Sequence, residues 1–118
     1  MQPEPVRPVG PERKRVYDVF ATYRTPSNPA AFHSHYKQVH VPLVEKMPLL
    51  KEFTWGRVED EGSETYLIAR MTFQSAAEAE KSFGSPEGQA AADDVRNFAP
   101  SGFQLLRVPR EESFRQPA

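Results

Sequence analysis

The chain has no cysteine among its 118 residues. Disulfides, thiolate nucleophiles and metal sites built from cysteine are therefore excluded, whatever compartment the protein occupies. No stretch approaches the roughly 20 apolar residues that cross a bilayer, and the first residues lack the apolar core of a secretory signal. We therefore expect a cytoplasmic protein that does not bind membranes.

Charge of one sign is also not in excess. The chain has 15 Lys and Arg against 16 Asp and Glu, for a net charge of -1, and the two signs are interspersed. Such a balance gives no electrostatic reason to expect nucleic acid as a partner. The sequence also has no Gly-rich phosphate loop, no Ser-His-Asp spacing and no paired catalytic carboxylates. Asp93 and Asp94 are adjacent on a predicted helix, so they point in different directions and are not expected to form a dyad.

Proline is distributed unevenly along the chain. Four of the twelve prolines fall within the first 11 residues, in a segment with too little apolar surface to fold. We expect residues 1–14 to form a flexible leader, 15–109 a single domain and 110–118 a polar C-terminal tail. A chain of this length is too short for two cores of ordinary size.

The domain is predicted to alternate strands and helices. The predicted elements are a strand at 16–23, a helix from 29 to about 47, strands at 51–58 and 64–73, a second helix broken at Gly84, and a strand at 103–108. This β-α-β-β-α-β order predicts an α+β fold of the ferredoxin-like kind. Right-handed crossovers would place both helices on one face of a four-stranded antiparallel sheet.

The strands are predicted to be apolar on both sides, so the side chains on the other face of that sheet must also be shielded from water. The simplest cover is the same face of a second copy related by a two-fold axis, so we expect a homodimer. Alternation in the third strand separates two sets of side chains. The set expected to face the helices is Leu67, Ala69, Met71 and Phe73. Tyr66 and Arg70 are expected to face the dimer side.

The first helix carries an apolar stripe at helical spacing, formed by Phe32, Tyr36, Val39, Leu43 and Met47. Pro42 lies inside this stripe and removes one backbone donor. We therefore expect the helix to bend after His40.

Four short segments carry a resemblance to a known family. Residues 32–44 are aromatic-rich and end in His-x-Pro-Leu, and 47–50 form a short Pro-led link to the next strand. With residues 85–89 and 93–98, this pattern resembles the EthD-like family of the dimeric α+β-barrel superfamily. The resemblance implies a dimer whose two sheets pack face to face, with a pocket between the sheet and the helices of each subunit.

The family resemblance does not determine the chemistry. Its superfamily includes polyketide cyclases, muconolactone isomerases, small monooxygenases and haem-handling enzymes. Many EthD-like proteins resemble accessory proteins of degradation or biosynthesis pathways, with no established reaction.

His40 is the candidate catalytic residue. The family match falls on it, and imidazole exchanges a proton near neutral pH. It is placed roughly 60° from the centre of the stripe, at the border of the core. The alternative is that it bonds a backbone carbonyl freed by Pro42. His33 lies on the same flank and could line the same cavity, or be solvated, whereas His35 is expected on the surface.

Further ligand-binding candidates are aromatic or cationic. The Tyr36 ring is expected to pack in the core with its hydroxyl reaching a ligand or His40, and Trp55 suits an aromatic ligand; plain core packing is the alternative for both. Tyr66 and Arg70 complete the candidates, although Arg70 could instead pair with an acid of the partner subunit. No acid stands beside the histidines in the helix, so we expect neither a metal site nor a cofactor.

These features favour a homodimer that binds a small apolar or aromatic organic molecule. Its reaction would be an isomerisation, cyclisation or dehydration by proton transfer at His40. The alternatives are a non-catalytic accessory or carrier protein with the same pocket, and a haem-binding relative that uses a helix histidine.

Overall fold

A computed structural model describes residues 16–112, 114, 116 and 117, so the predicted leader at 1–14 lies outside the described residues. The elements in chain order are β1 (Tyr17–Arg24), α1 (Pro29–His35), a π-helical turn (Tyr36–His40), α2 (Val41–Glu45), β2 (Glu52–Arg57), β3 (Thr65–Phe73), α3 (Ala76–Gly84), α4 (Pro86–Phe98) and β4 (Phe103–Pro109). The predicted β-α-β-β-α-β order is confirmed, with each helical region divided into shorter pieces. In the described part of the chain, no helix is long and apolar enough to cross a membrane.

The four strands form one antiparallel sheet in the order β2-β3-β1-β4. The strand β1 therefore lies inside the sheet, where Val19 pairs with Met71 on one side and Arg107 on the other. This is the predicted four-stranded α+β arrangement. The side chains of β3 that were expected to face the helices, Leu67, Ala69, Met71 and Phe73, are all buried in the core.

The opposite face of the sheet, which we call the helix-free face, carries apolar side chains on β1, β3 and β4 among polar ones such as Thr54, Arg70 and Gln104. Ile68, Leu106 and Val108 are 39%, 42% and 40% exposed, and Phe20 lies between β3 and β4 on the same face. Arg110 closes one end of this face, donating to the two Asp18 carboxylate oxygens at 2.8 and 3.0 Å. The first residue of the predicted tail is thus attached to the sheet.

Short polar side chains fix the starts of the helices. Asn28 Oδ1 accepts from the Ala31 N–H at 3.1 Å, and Ser75 Oγ accepts from the Glu78 N–H at 3.1 Å. Ser85 Oγ accepts from the Gly88 N–H at 3.0 Å and donates to the Ser82 carbonyl oxygen. The predicted break in the second helix therefore falls at Ser85, which caps both neighbouring helices.

The first helical region contains one widened turn instead of a simple bend. The Val41 N–H donates to the Tyr36 carbonyl oxygen, five residues earlier, rather than to the carbonyl four residues earlier. Pro42 follows directly and has no N–H to continue the α-helical pattern. The irregularity predicted near His40 is thus present as a π turn.

This π turn changes which side chains enter the core. An extra residue in one turn rotates all later positions relative to an unbroken α-helix. The buried set is Phe32, Tyr36, His40, Val44 and Met47. The predicted stripe was therefore wrong at Val39, which is 41% exposed, whereas Leu43 is partly buried and packs against the core. His40 lies in the core, 4% exposed, and not at its border.

Gly88 allows α3 and α4 to pack closely, and this predicts a stability effect. A Cβ at this position would collide with the Ser82 carbonyl oxygen and lie 2.8 Å from Phe83 Cα. Because backbone atoms cannot move aside cheaply, we expect Gly88→Ala to lower the free energy of unfolding by about 1–3 kcal/mol in urea denaturation. Gly84→Ala is the matched control, since a Cβ there meets nothing within 4 Å. Equal stability of both variants would contradict this packing.

Candidate functional site

A cavity lies between the sheet and the helices. Its volume is about 60 Å³, several times the roughly 10–15 Å³ that one water needs. The lining is contributed by all four strands and by the helices, and includes Ala21, Phe53, Met71, Val95, Phe103 and Leu105. Among the described residues that line it, only Tyr23, Tyr36 and His40 carry side-chain polar groups. The lining therefore has the mostly apolar character of small-molecule sites.

His40 is oriented in this cavity wall by an acid from another helix. Its Nδ1 lies 3.0 Å from Oδ2 of Asp94 in α4, and both side chains are buried. An ionised carboxylate can only accept hydrogen bonds, so Nδ1 carries the donated proton. In the neutral ring, Nε2 is then unprotonated and can accept a proton.

Asp94 accepts hydrogen bonds from three side chains. His35 Nε2 lies 2.8 Å from Oδ1 and 3.0 Å from Oδ2, and the Asn97 amide donates to Oδ1 at 3.0 Å. The His35 ring also stacks on Phe98, with ring centroids 5.4 Å apart. His35 is half-buried in this network, so its predicted surface position was wrong. These contacts join α1, the π turn and α4.

Burial and hydrogen bonding set opposite charge states for the two partners. Burial lowers the pKa of His40, and the bond to Asp94 offsets this only in part. Burial alone would raise the pKa of Asp94, but hydrogen bonds from Asn97, His35 and His40 outweigh it and the pKa is lowered. At neutral pH the pair is therefore a neutral imidazole beside a carboxylate.

Tyr36 supplies a second polar group next to His40. Its ring centroid is 5.5 Å from that of His40, and the residue is fully buried. Its hydroxyl has no hydrogen-bond partner in the described part of the protein. Burial raises the pKa of Tyr36, so the hydroxyl stays protonated and can donate. Leaving such a group unpaired costs about 1–3 kcal/mol, which an acceptor on a ligand could recover.

Two other predicted residues, His33 and Tyr66, form a separate pair outside the cavity lining. His33 Nε2 lies 2.8 Å from the Tyr66 hydroxyl, and the Tyr66 ring packs edge-on against Phe32 in α1. Tyr66 was predicted to face the dimer side, which is wrong. The register between β1 and β3 shifts here, leaving Tyr66 without a Cα partner on β1. Such a bulge re-aims the side chain, here towards α1.

Arg70 and Trp55 also lie outside the cavity lining. Arg70 is on the helix-free face and pairs with Glu52 of its own chain at 3.0 Å. Trp55 packs edge-on against Tyr36, with ring centroids 5.0 Å apart. Of the six predicted residues, His40 and Tyr36 meet on the cavity wall.

The network around His40 contains three residues that sequence reasoning missed: His35, Asp94 and Asn97. A signal for Asp94 existed, because it follows Ala91 by three residues and precedes Phe98 by four, on the apolar face of the second helix. This acid comes from α4, so the residues beside the histidines in their own helix do not indicate it. Among the described residues, no group of three or more His, Cys, Asp or Glu is suited to hold a metal ion.

The charge states predict the titration of His40. We expect its pKa, followed by NMR of the ring protons, to lie below the ordinary 6.5. Asp94→Asn should lower it further, because a neutral amide no longer favours the imidazolium. Asp93→Asn is the control, since Asp93 is exposed and leaves His40 untouched.

The same lowered pKa predicts how stability depends on pH. The unfolded chain binds this proton more readily than the folded one. The contribution of His40 to the free energy of unfolding is therefore complete above about pH 6.5 and is lost as the pH falls below that value. A wild-type His40 that titrates at or above 6.5 would contradict the buried neutral ring.

Comparison with known proteins agrees with this fold. The family model of the EthD domain matches residues 24–102. An uncharacterized 11.0 kDa protein from the thcB-thcC intergenic region of Rhodococcus erythropolis is 43% identical over 99 residues, covering 81% of this chain and 96% of the relative.

Solved structures show the same subunit architecture. A crystal structure of an ethyl tert-butyl ether D (EthD) family protein from Bacillus halodurans has a TM-score of 0.78 at 25% identity, covering 81% of this chain and 99% of the other. A hydroxynitrile lyase from Passiflora edulis has a TM-score of 0.66 at 20% identity, covering 86% and 98%, and at that identity it shows the fold alone. The chain belongs to the EthD domain family.

Proposed function

We propose that this protein is a homodimeric, small-molecule-binding enzyme in which His40 transfers a proton to or from an apolar or aromatic metabolite. The reaction would be an isomerisation, cyclisation or dehydration. One observation carries the proposal: a neutral imidazole, oriented by Asp94, lines an otherwise apolar cavity.

The geometry around His40 suits a general base. Asp94 fixes the ring with Nδ1 as donor and leaves Nε2 as acceptor. When Nε2 takes a proton, the new positive charge forms 3.0 Å from the Asp94 carboxylate, in surroundings where water screens little. A positioned acid or base of this type contributes roughly 10²–10⁴-fold to a rate.

The family and fold are compatible with such chemistry. The Passiflora edulis protein of the same fold is a hydroxynitrile lyase, so this subunit architecture occurs in an enzyme. The cavity described above lies between helices and sheet, which agrees with the pocket position implied by the family resemblance.

The proposed dimer rests on the helix-free face. Ile68, Leu106 and Val108 expose apolar side chains on this face, and exposed apolar patches often mark protein–protein interaction sites. A second copy would bury this face against its own equivalent about a two-fold axis.

A base-sensitive probe tests the proton transfer without knowledge of the natural substrate. Benzisoxazole loses its C3 proton to a base, its N–O bond breaks and 2-cyanophenolate forms, which is followed by absorbance. We expect the protein to accelerate this reaction, and His40→Asn to slow it about 10²-fold or more. The amide of asparagine can keep one hydrogen bond but cannot accept a proton at neutral pH.

The control variant for this experiment is His33→Asn, which removes a histidine outside the cavity lining and should leave the rate unchanged. Melting temperatures of both variants separate chemistry from folding. A His40→Asn variant that is folded and as active as the wild type would contradict the proposed catalysis. If that variant also binds the probe as the wild type does, the carrier alternative would be favoured.

The oligomeric state has its own test. Ile68→Lys places a charge in the centre of the helix-free face, where burial without a partner is costly. We expect sedimentation velocity at micromolar concentration to give a dimer for the wild type and a monomer for this variant. Val39→Lys changes an equally exposed apolar residue on the helical side and should stay dimeric. A monomeric wild type would contradict the dimer.

A further inference from the structure

Tyr36 is one of the residues that line the cavity, and its hydroxyl is a polar group that the described part of the protein leaves unpaired. The residue is fully buried, and its hydroxyl has no partner in the described part of the chain. By contrast, the Tyr66 hydroxyl bonds His33 outside the cavity lining. Buried polar groups without a partner are uncommon in folded proteins, and a catalytic role is one of the explanations for them.

Tyr36 and His40 offer complementary functions at adjacent places. They begin and end the π turn, and their ring centroids lie 5.5 Å apart. Tyr36 stays protonated and donates, while neutral His40 accepts at Nε2. A ligand that satisfies both must present a hydrogen-bond acceptor next to an acidic proton.

We infer that the substrate is a small, uncharged carbonyl compound with an acidic C–H bond beside the carbonyl. This inference rests on the proposed proton transfer at His40 and adds the role of Tyr36. The hydroxyl of Tyr36 donates to the carbonyl oxygen, and Nε2 of His40 faces the adjacent carbon. Tyr36 is thereby assigned as a catalytic residue that binds the reacting oxygen.

The chemical step balances without any further reactant. The C–H bond breaks, its proton forms a bond with Nε2, and the electron pair moves onto the carbonyl oxygen to give an enolate. Tyr36 stabilises the negative oxygen by its hydrogen bond. The imidazolium then returns the proton to the same or another carbon of the enolate, which regenerates neutral His40 and gives the starting compound or its isomer.

The cavity also selects against charged substrates. Neither lysine nor arginine occurs among the described residues that line it, so a carboxylate entering it would lose its hydration without gaining a cation. The Asp94 carboxylate behind His40 adds repulsion between like charges. An uncharged ketone or aldehyde meets neither penalty.

Deuterium exchange tests this assignment. The probe is 2-indanone, an uncharged bicyclic ketone whose protons beside the carbonyl exchange in D₂O and are followed by NMR. We expect the wild type to catalyse this exchange, and Tyr36→Phe to slow it roughly 10²–10³-fold, because one oxyanion donor is lost. Tyr66→Phe removes a hydroxyl outside the cavity lining and should leave the rate unchanged.

Each outcome separates the inference from the proposed function. If benzisoxazole elimination depends on His40 but exchange of 2-indanone is absent or unaffected in Tyr36→Phe, the carbonyl assignment is overturned and the proposed proton transfer stands. If neither reaction depends on His40, the proposed function itself fails. Exchange of phenylpyruvate, an anionic ketone, as fast as that of 2-indanone would overturn the restriction to uncharged substrates.

Discussion

The buried carboxylate of Asp94 is the constraint around which the helical layer is organised. A negative charge removed from water is tolerated only when donors surround it, and Asp94 receives them from His35, His40 and Asn97. Two of these donors lie on the first helical region and the third on α4 beside Asp94 itself. The arrangement that stabilises the charge therefore also fixes how the helices pack over the sheet.

The π turn allows His40 to take part in the hydrogen bonds to Asp94. In an unbroken α-helix, Val39 would hold the buried position that follows Tyr36, as the apolar spacing of the sequence suggests. The widened turn moves His40 inward instead and leaves Val39 exposed. A polar ring thus occupies a core position, which is acceptable because Asp94 satisfies one of its nitrogens. Departures of this kind from ideal helix geometry are frequent at functional sites.

The fold could be predicted from the sequence because its signals are local. Alternation in β3 placed Leu67 and its neighbours correctly, and helix starts followed from capping residues such as Asn28 and Ser75. The site could be predicted only in part. A pattern based on helical spacing assumes an α-helix throughout. It therefore could not predict the π turn or the burial of His40. Asp94 belongs to another helix, and only tertiary packing brings the two together. Because these contacts depend on geometry rather than on spacing, no pattern within one element could reveal them.

The central claim is that Asp94 holds His40 as the tautomer with its proton on Nδ1, which leaves Nε2 unprotonated. Nitrogen-15 NMR of the histidine rings at pH 7.5 tests it most directly, because protonated and bare ring nitrogens have well-separated chemical shifts. His40→Asn identifies the signals of this ring by their disappearance. We predict a protonated Nδ1 and a bare Nε2 for His40. A proton on Nε2, or a ring charged at this pH, would contradict the account.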